Sequence, residues 1–381
     1  SELLMNAANR INDFLEQRKE NNLYRKLQNT NNLIDLSSND YLGLSRSAFI
    51  RQQVELDYRN YQFHKSGATG SRLLNGNSAL FEEVEALLAK THHAEAALLF
   101  NSGFDANVGL ISTLIRPNDA IFYDELVHAS IYQGMKLSGA KLIPFKHNDY
   151  LDLGVQLKTI KGFEVGFIIT ESLFSMEGDK ADLRKLAEFA STYKVELVID
   201  EAHATGLFGS NGSGLCNEAG IEDKCLARIY TFGKAIGSHG AVVVGNLKLK
   251  EYLINFSKNF IYSTALETHN LLCVKHTYFY LQSNINQLDS LFKLNEYFVE
   301  RAEVLKDKFE VCGEGPIFGI LIPGNKQCKN LAVYLQKHNL DVRAIVSPTV
   351  PKGQERLRVI LHSYNTPAEI DRLFSLLIDY K

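Results

Sequence analysis

Residues 195–203 read Val195-Glu-Leu-Val-Ile-Asp200-Glu-Ala-His203. An apolar run of β-formers ends on a carboxylate, and a histidine follows three positions later. A buried carboxylate is costly unless a cation or hydrogen-bond donors meet it, so Asp200 implies a cationic partner at the end of a strand. Runs of the same kind occupy residues 96–100, 120–123, 141–145, 165–170, 196–199, 227–231 and 241–244, and helix-like segments of about a dozen residues separate them. Continuous apolar strands alternating with helices indicate a parallel or mostly parallel sheet covered on both faces. In such sheets ligands sit beyond the carboxyl ends of the strands.

Outward from this region the pattern changes. Leu4, Ala7, Ile11, Phe14 and Leu15 recur at helical spacing, so the first twenty residues read as an amphipathic helix. Residues 21–32 form a polar connector and 33–36 a short strand. Beyond the last apolar run come two long helical segments, 267–282 and 288–309. The chain then reads strand 317–322, helix 329–337, strands 341–345 and 356–361, and helix 367–380. The expected fold is α/β: an N-terminal helix and connector over 1–44, a large domain over 45–285, and a small α+β C-terminal domain over 286–381.

Of 381 residues, 45% are apolar and 22% charged, which is a globular rather than a disordered composition. Forty-one basic against 44 acidic residues give a net charge of −3, without the basic footprint of a nucleic-acid binder or a membrane-surface cluster. No apolar stretch of about 18 residues is long enough to span a bilayer. The N-terminal residues lack a basic segment followed by an apolar run, so no signal peptide is read. The cysteines, Cys216, Cys225, Cys273, Cys312 and Cys328, form no C-x-x-C pair. They are expected to be reduced thiols in a cytoplasmic protein, with no metal site.

Three strand ends carry chemistry. Asn101-Ser-Gly-Phe104 follows one strand and opens a helix, where free backbone N–H groups make an anion site. Asp-Glu-Ala-His at 200–203 also occurs in nucleic-acid helicases, but those need a G-x-x-x-x-G-K-[ST] loop, and here Gly233-Lys234 is followed by Ala235. Lys234 sits between glycines in Thr231-Phe-Gly-Lys234-Ala-Ile-Gly237, where crowding suits a nucleophile towards carbonyls. A phosphate-binding helix start, an acid for a cationic ring nitrogen and a Schiff-base lysine are the parts of a pyridoxal phosphate site. They occur in the order Gly103, Asp200, Lys234, with Lys234 placed 34 residues after Asp200. That order and spacing look like fold-type I pyridoxal-phosphate enzymes.

At finer grain the sequence resembles the α-oxoamine synthase family over about residues 33–361. The motifs that carry the likeness are Leu36-Ser-Ser-Asn39-Asp-Tyr-Leu-Gly-Leu44, Gly67-Ala-Thr-Gly-Ser-Arg-Leu-Leu-Asn-Gly76, Phe100-Asn-Ser-Gly-Phe104 and His128-Ala-Ser130. Glu171-Ser-Leu-Phe-Ser175-Met-Glu-Gly-Asp179, Asp200-Glu-Ala-His203-Ala-Thr-Gly206 and Thr231-Phe-Gly-Lys234 complete the ordered set. The resemblance implies a fold-type I transferase, with a mostly parallel sheet in the large domain. Its members condense an amino acid with an acyl thioester, lose the amino acid's carboxylate and release an amino ketone.

The same resemblance implies roles. Lys234 carries the cofactor and then acts as base, and Asp200 pairs with the ring nitrogen. His128 stacks on the ring, and Ser175 and His203 hold its phenolic oxygen. Thr231 and the N–H groups of Gly103 and Phe104 take the phosphate. Asn39 lines the substrate side, and Arg358 grips the substrate carboxylate. The 67–76 loop and Tyr262-Ser263-Thr264 lie against the cofactor of a neighbouring subunit, which implies a homodimer with its active site at the interface. Ser347-Pro-Thr-Val-Pro351-Lys-Gly353 and Ile261-Tyr-Ser-Thr264 look most like the branch that joins L-alanine to a pimeloyl thioester in biotin biosynthesis. Branches using glycine with acetyl-CoA, or serine with palmitoyl-CoA, share the 67–72 loop. His362-Ser-Tyr-Asn365 departs from the family's usual Ala-Ala-His. Another pyridoxal-phosphate enzyme on this fold, or a non-catalytic binding protein, remains an alternative at this point.

Overall fold

The computed structural model describes residues 6–30, 32–60 and 65–380. Leu4, the first apolar position of the expected N-terminal helix, lies outside them. The helix itself runs Ala7–Glu20, capped by the Asn6 side chain, and its apolar positions Ile11, Phe14 and Leu15 are exposed. The chain forms two compact units. The larger takes in residues 39–292 and 362–364; the smaller collects the chain up to Ser38, residues 293–361 and the chain from Asn365 onward.

A seven-stranded sheet organises the larger unit. Its strands are β1 (Ala96–Phe100), β2 (Ala120–Asp124), β3 (Lys141–Phe145), β4 (Gly166–Glu171), β5 (Glu196–Asp200), β6 (Ala227–Thr231) and β7 (Ala241–Gly245), in the spatial order β1-β7-β6-β5-β4-β2-β3. The apolar runs read as buried on both faces are so: β1, β4 and β6 are buried at every position. From β6 to β3 all pairings are parallel, whereas β7 runs antiparallel to both its neighbours. Chain length explains the exception. A parallel crossover needs about a dozen residues or more, and residues 232–240 are too few to supply a helix. The strand–helix alternation expected from the sequence therefore breaks at this one step, and the short connection is the loop that carries Lys234.

The smaller unit holds a four-stranded antiparallel sheet in the order Arg343–Ile345, Arg356–Ile360, Ile317–Leu321, Val311–Cys312. The single strand expected over 341–345 is split. Leu340–Asp341 pairs in parallel with Ile34–Asp35, and Arg343–Ile345 joins the larger sheet of this unit. Asp341 accounts for the break, because its carboxylate accepts from Thr30 Oγ1 (2.9 Å) and Ser37 Oγ (2.7 Å) and pairs with Arg343 Nε (2.9 Å). Under the sheet, Phe298 stacks on Phe318 at 4.1 Å and 22° and tilts against Phe374 at 5.0 Å. The final helix, Pro367–Asp379, opens with a Thr366/Glu369 capping box. Phe298 is fully buried, so Phe298→Ala leaves a cavity and costs about 3–5 kcal/mol by urea unfolding. A loss below about 1 kcal/mol contradicts this packing.

Candidate active site

The carboxyl ends of β4 and β5 place two acids side by side. Glu171 and Asp200 are register partners on the adjacent parallel strands, and both are buried. Asp200 is met by donors: Asn107 Nδ2 donates to its Oδ2 at 2.8 Å and the Ala202 N–H to its Oδ1 at 2.8 Å. Asn107 also donates to Ser130 Oγ at 3.0 Å, while its own Oδ1 has no hydrogen-bond partner among the described residues. Glu171 accepts the His128 N–H at 2.6 Å. Burial first, and then the charge of Asp200, push the Glu171 carboxyl well above the ordinary 4.5. The pairing therefore favours the protonated form of Glu171. His128, which caps the Ala129–Ser138 helix, contacts Ser130 Oγ through Nδ1 at 2.8 Å. Burial lowers its pKa and the charge of Lys234 adds to this, against the pull of Asp200.

Across from these acids the Gly103–Leu114 helix begins, with Ser102 accepting the Asp105 N–H at 3.0 Å. A Cβ on Gly103 would stand 2.5 Å from Thr231 Cγ2, so only glycine lets the helix start approach the end of β6. Lys234 lies in the 232–240 loop. That loop is closed by Phe232 N–H to Gly240 O (2.9 Å), Ser238 N–H to Phe232 O (2.7 Å) and Gly237 N–H to Lys234 O (2.8 Å). His203 Nδ1 is 2.6 Å from the hydroxyl of Tyr41, a fully buried residue whose hydroxyl also donates to Asn39 Oδ1 at 3.2 Å.

These elements enclose a cavity of about 230 Å³. Of the residues singled out in the sequence, Asn39, Gly103, Phe104, His128, Asp200, His203, Thr231 and Lys234 line it. Ser175 stands on the 174–179 turn after β4 and is not among the lining residues. Ser263 and Thr264 border a separate small cleft, where Thr264 accepts from Asn101 Nδ2 at 2.7 Å and bridges Ser71. Arg358 belongs to the smaller unit, opposite Gly319 and Arg343 in its sheet. Glu171, Asn107, Ser130 and Tyr41 had no role from the sequence. Glu171 carried the same signal as Asp200, an acid closing an apolar strand, and Asn107 is an amide within the buried run 106–111.

The donor set suits one compact ligand. The carboxylate of Asp200, already hydrogen-bonded and placed beside a second acid, favours a cationic ring nitrogen, and the N–H groups at 103–104 favour an anionic ester. His128 offers a ring and Lys234 an amine. The cavity is a little below the range of about 300–1,000 Å³ for drug-sized ligands. Pyridoxal phosphate fits this description. Residues 31–377 match the aminotransferase class I and II family. The chain belongs to that family.

Within the family, the chain is similar to 8-amino-7-oxononanoate synthase of Emericella nidulans, 38% identical over 362 residues that cover 89% of this chain and 87% of that protein. Among solved structures, 8-amino-7-oxononanoate synthase from Francisella tularensis matches with a TM-score of 0.77 at 31% identity, covering 91% of this chain and 96% of that one. A Sphingomonas wittichii serine palmitoyltransferase matches with a TM-score of 0.89 over 98% and 97% of the two chains; at 23% identity it shows the fold. The chain is an α-oxoamine synthase with the fold-type I architecture, and its cofactor is pyridoxal phosphate.

The raised Glu171 pKa has a measurable consequence. A carboxyl held above its unfolded value contributes stability that is complete below about 4.5 and is lost as pH rises towards the folded value. Glu171→Gln lacks that dependence. The cofactor-free variant should therefore gain on the wild type as urea unfolding is moved from about pH 5 to about pH 8. A stability difference that does not change with pH contradicts the assignment.

Proposed function

We propose that this chain condenses L-alanine with a pimeloyl thioester, releasing carbon dioxide, the thiol and 8-amino-7-oxononanoate. The observation that carries the proposal is the single cavity lined by a donor-held Asp200, by Lys234 and by His128. The names of the similar proteins support the choice of amino acid and acyl chain.

Bound pyridoxal phosphate supplies an electron sink for the amino acid's α-carbon. The remaining work falls to this chain's residues. Lys234 would hold the cofactor through its Nζ and, as a free amine, would take the proton from the substrate's α-carbon. Asp200 would keep the ring nitrogen protonated through a charge-assisted hydrogen bond, from a buried position already oriented by Asn107. His128 packs on the ring, while Ser175 and His203 hold the phenolic oxygen. The N–H groups of Gly103 and Phe104, with Thr231, hold the phosphate. Asn39 borders the substrate, and Arg358 binds its carboxylate by a planar fork.

The proposal includes a homodimer in which Ser263, Thr264 and the 67–76 loop serve the neighbouring copy's site. Leu73, Leu74 and Tyr262 are more than half exposed on or next to these segments, which supports cover by a partner. It also includes a cytoplasmic location, supported by five cysteines that form no disulfide. No helix among the described residues is long and apolar enough to cross a membrane.

Thiol release, measured with alanine, glycine and serine each crossed with acetyl, pimeloyl and palmitoyl donors, tests the proposal. The expected result is turnover that is highest for alanine with the pimeloyl donor. Turnover with glycine and acetyl-CoA, or with serine and palmitoyl-CoA, and none with alanine and the pimeloyl donor overturns the substrate assignment.

A further inference from the structure

Two carboxylates outside the proposed cofactor contacts meet on one histidine. Asp124, fully buried at the end of β2, lies 3.0 and 3.1 Å from His147 Nδ1 through its two oxygens. Asp179 Oδ2 lies 2.9 Å from His147 Nε2. Carboxylates only accept, so both ring nitrogens must carry hydrogen and the ring is an imidazolium. Burial works against that charge, but the hydrogen bonds to Asp124 and Asp179 outweigh it and raise the pKa to about 10. Glu125, which accepts the His147 N–H, and Tyr150, which donates to Asn148, are further titratable neighbours.

The Asp124 carboxylate also holds backbone, and the main-chain carbonyl of Asp179 closes a turn. Asp124 accepts the Leu126 N–H and the Asn148 N–H, both at 2.9 Å, and thereby shapes the 124–128 loop that ends at His128. Asp179 closes the turn that carries Ser175: Phe174 N–H donates to Asp179 O and Gly178 N–H to Phe174 O, both at 3.0 Å. The buried Phe174 ring meets His147 edge-on at 4.5 Å and 87°. Asn148 Nδ2 donates to Asp179 Oδ2 at 3.0 Å, while Asp179 Oδ1 has no hydrogen-bond partner among the described residues. The charge on Asp179 is thus held chiefly by His147 and Asn148.

We propose that His147 is a positioning residue: a two-sided tether joining the loop that presents His128 to the turn that presents Ser175. The tether sets the separation of the ring-stacking and oxygen-holding side chains, and this rests on the reading of the cavity as the pyridoxal phosphate site. A side chain that tunes a site through its support should be felt in ligand geometry more than in fold.

The test compares wild type with His147→Phe, which keeps an aromatic ring against Phe174, and Asp179→Asn, which keeps the shape and weakens one side of the tether. Amide hydrogen exchange is followed on the cofactor-free chain, and pyridoxal phosphate affinity and the visible band on titration with that compound. The expected result in both variants is faster exchange in residues 124–130 and 174–180, a shifted band, and affinity lowered by about tenfold or more. If wild type takes up no pyridoxal phosphate, the cavity reading fails and the proposal fails with it. If wild type binds normally and both variants match it in exchange, band and affinity, the tether alone is overturned. Faster exchange with an unshifted band and unchanged affinity also overturns it, since that is the mark of a purely structural histidine.

Discussion

Asp200 and Glu171 are buried next to one another at the ends of parallel strands, and the rest of the cavity answers to that pairing. Two neighbouring carboxyls in a dry site cannot both ionise cheaply. Asn107 and the Ala202 N–H satisfy Asp200, and burial favours the protonated form of Glu171. The outcome is one negative charge fixed in position and direction, which waits for a cationic ring nitrogen. A preoriented charge of this kind needs little reorganisation when chemistry begins.

The fold delivers that charge and its counterparts to one place. Parallel strands open their carboxyl ends on a common edge, so Glu171, Asp200 and Thr231 arrive together and the helix that starts at Gly103 supplies N–H groups. The short step from β6 to β7 has a second effect. By forbidding a helix, it leaves Lys234 on a tight loop closed by its own backbone hydrogen bonds, half-buried at the edge of the cavity.

Much of this was legible in the sequence. The strand runs at 96–100 and 227–231 coincide with β1 and β6 because strands buried on both faces read as unbroken apolar segments. The motifs likewise indicated Gly103, His128, Asp200, His203, Thr231 and Lys234, which all line one cavity. What stayed hidden depends on long-range contact. The break at Val342 arises because Asp341 is recruited by Thr30 and Ser37, some 300 residues earlier. Asn107 and Tyr41 acquire meaning only beside Asp200 and His203, and neither residue type announces such a partner. The antiparallel β7 was predictable from loop length alone, but the regular alternation before it masked the signal.

The central claim is that Lys234 is the amine that carries pyridoxal phosphate in this cavity. Borohydride reduction of the protein loaded with pyridoxal phosphate, followed by peptide mass spectrometry, tests it most directly. The account predicts the cofactor's mass fixed on Lys234 and on no other lysine. Label on a different lysine, or none after loading, would contradict it.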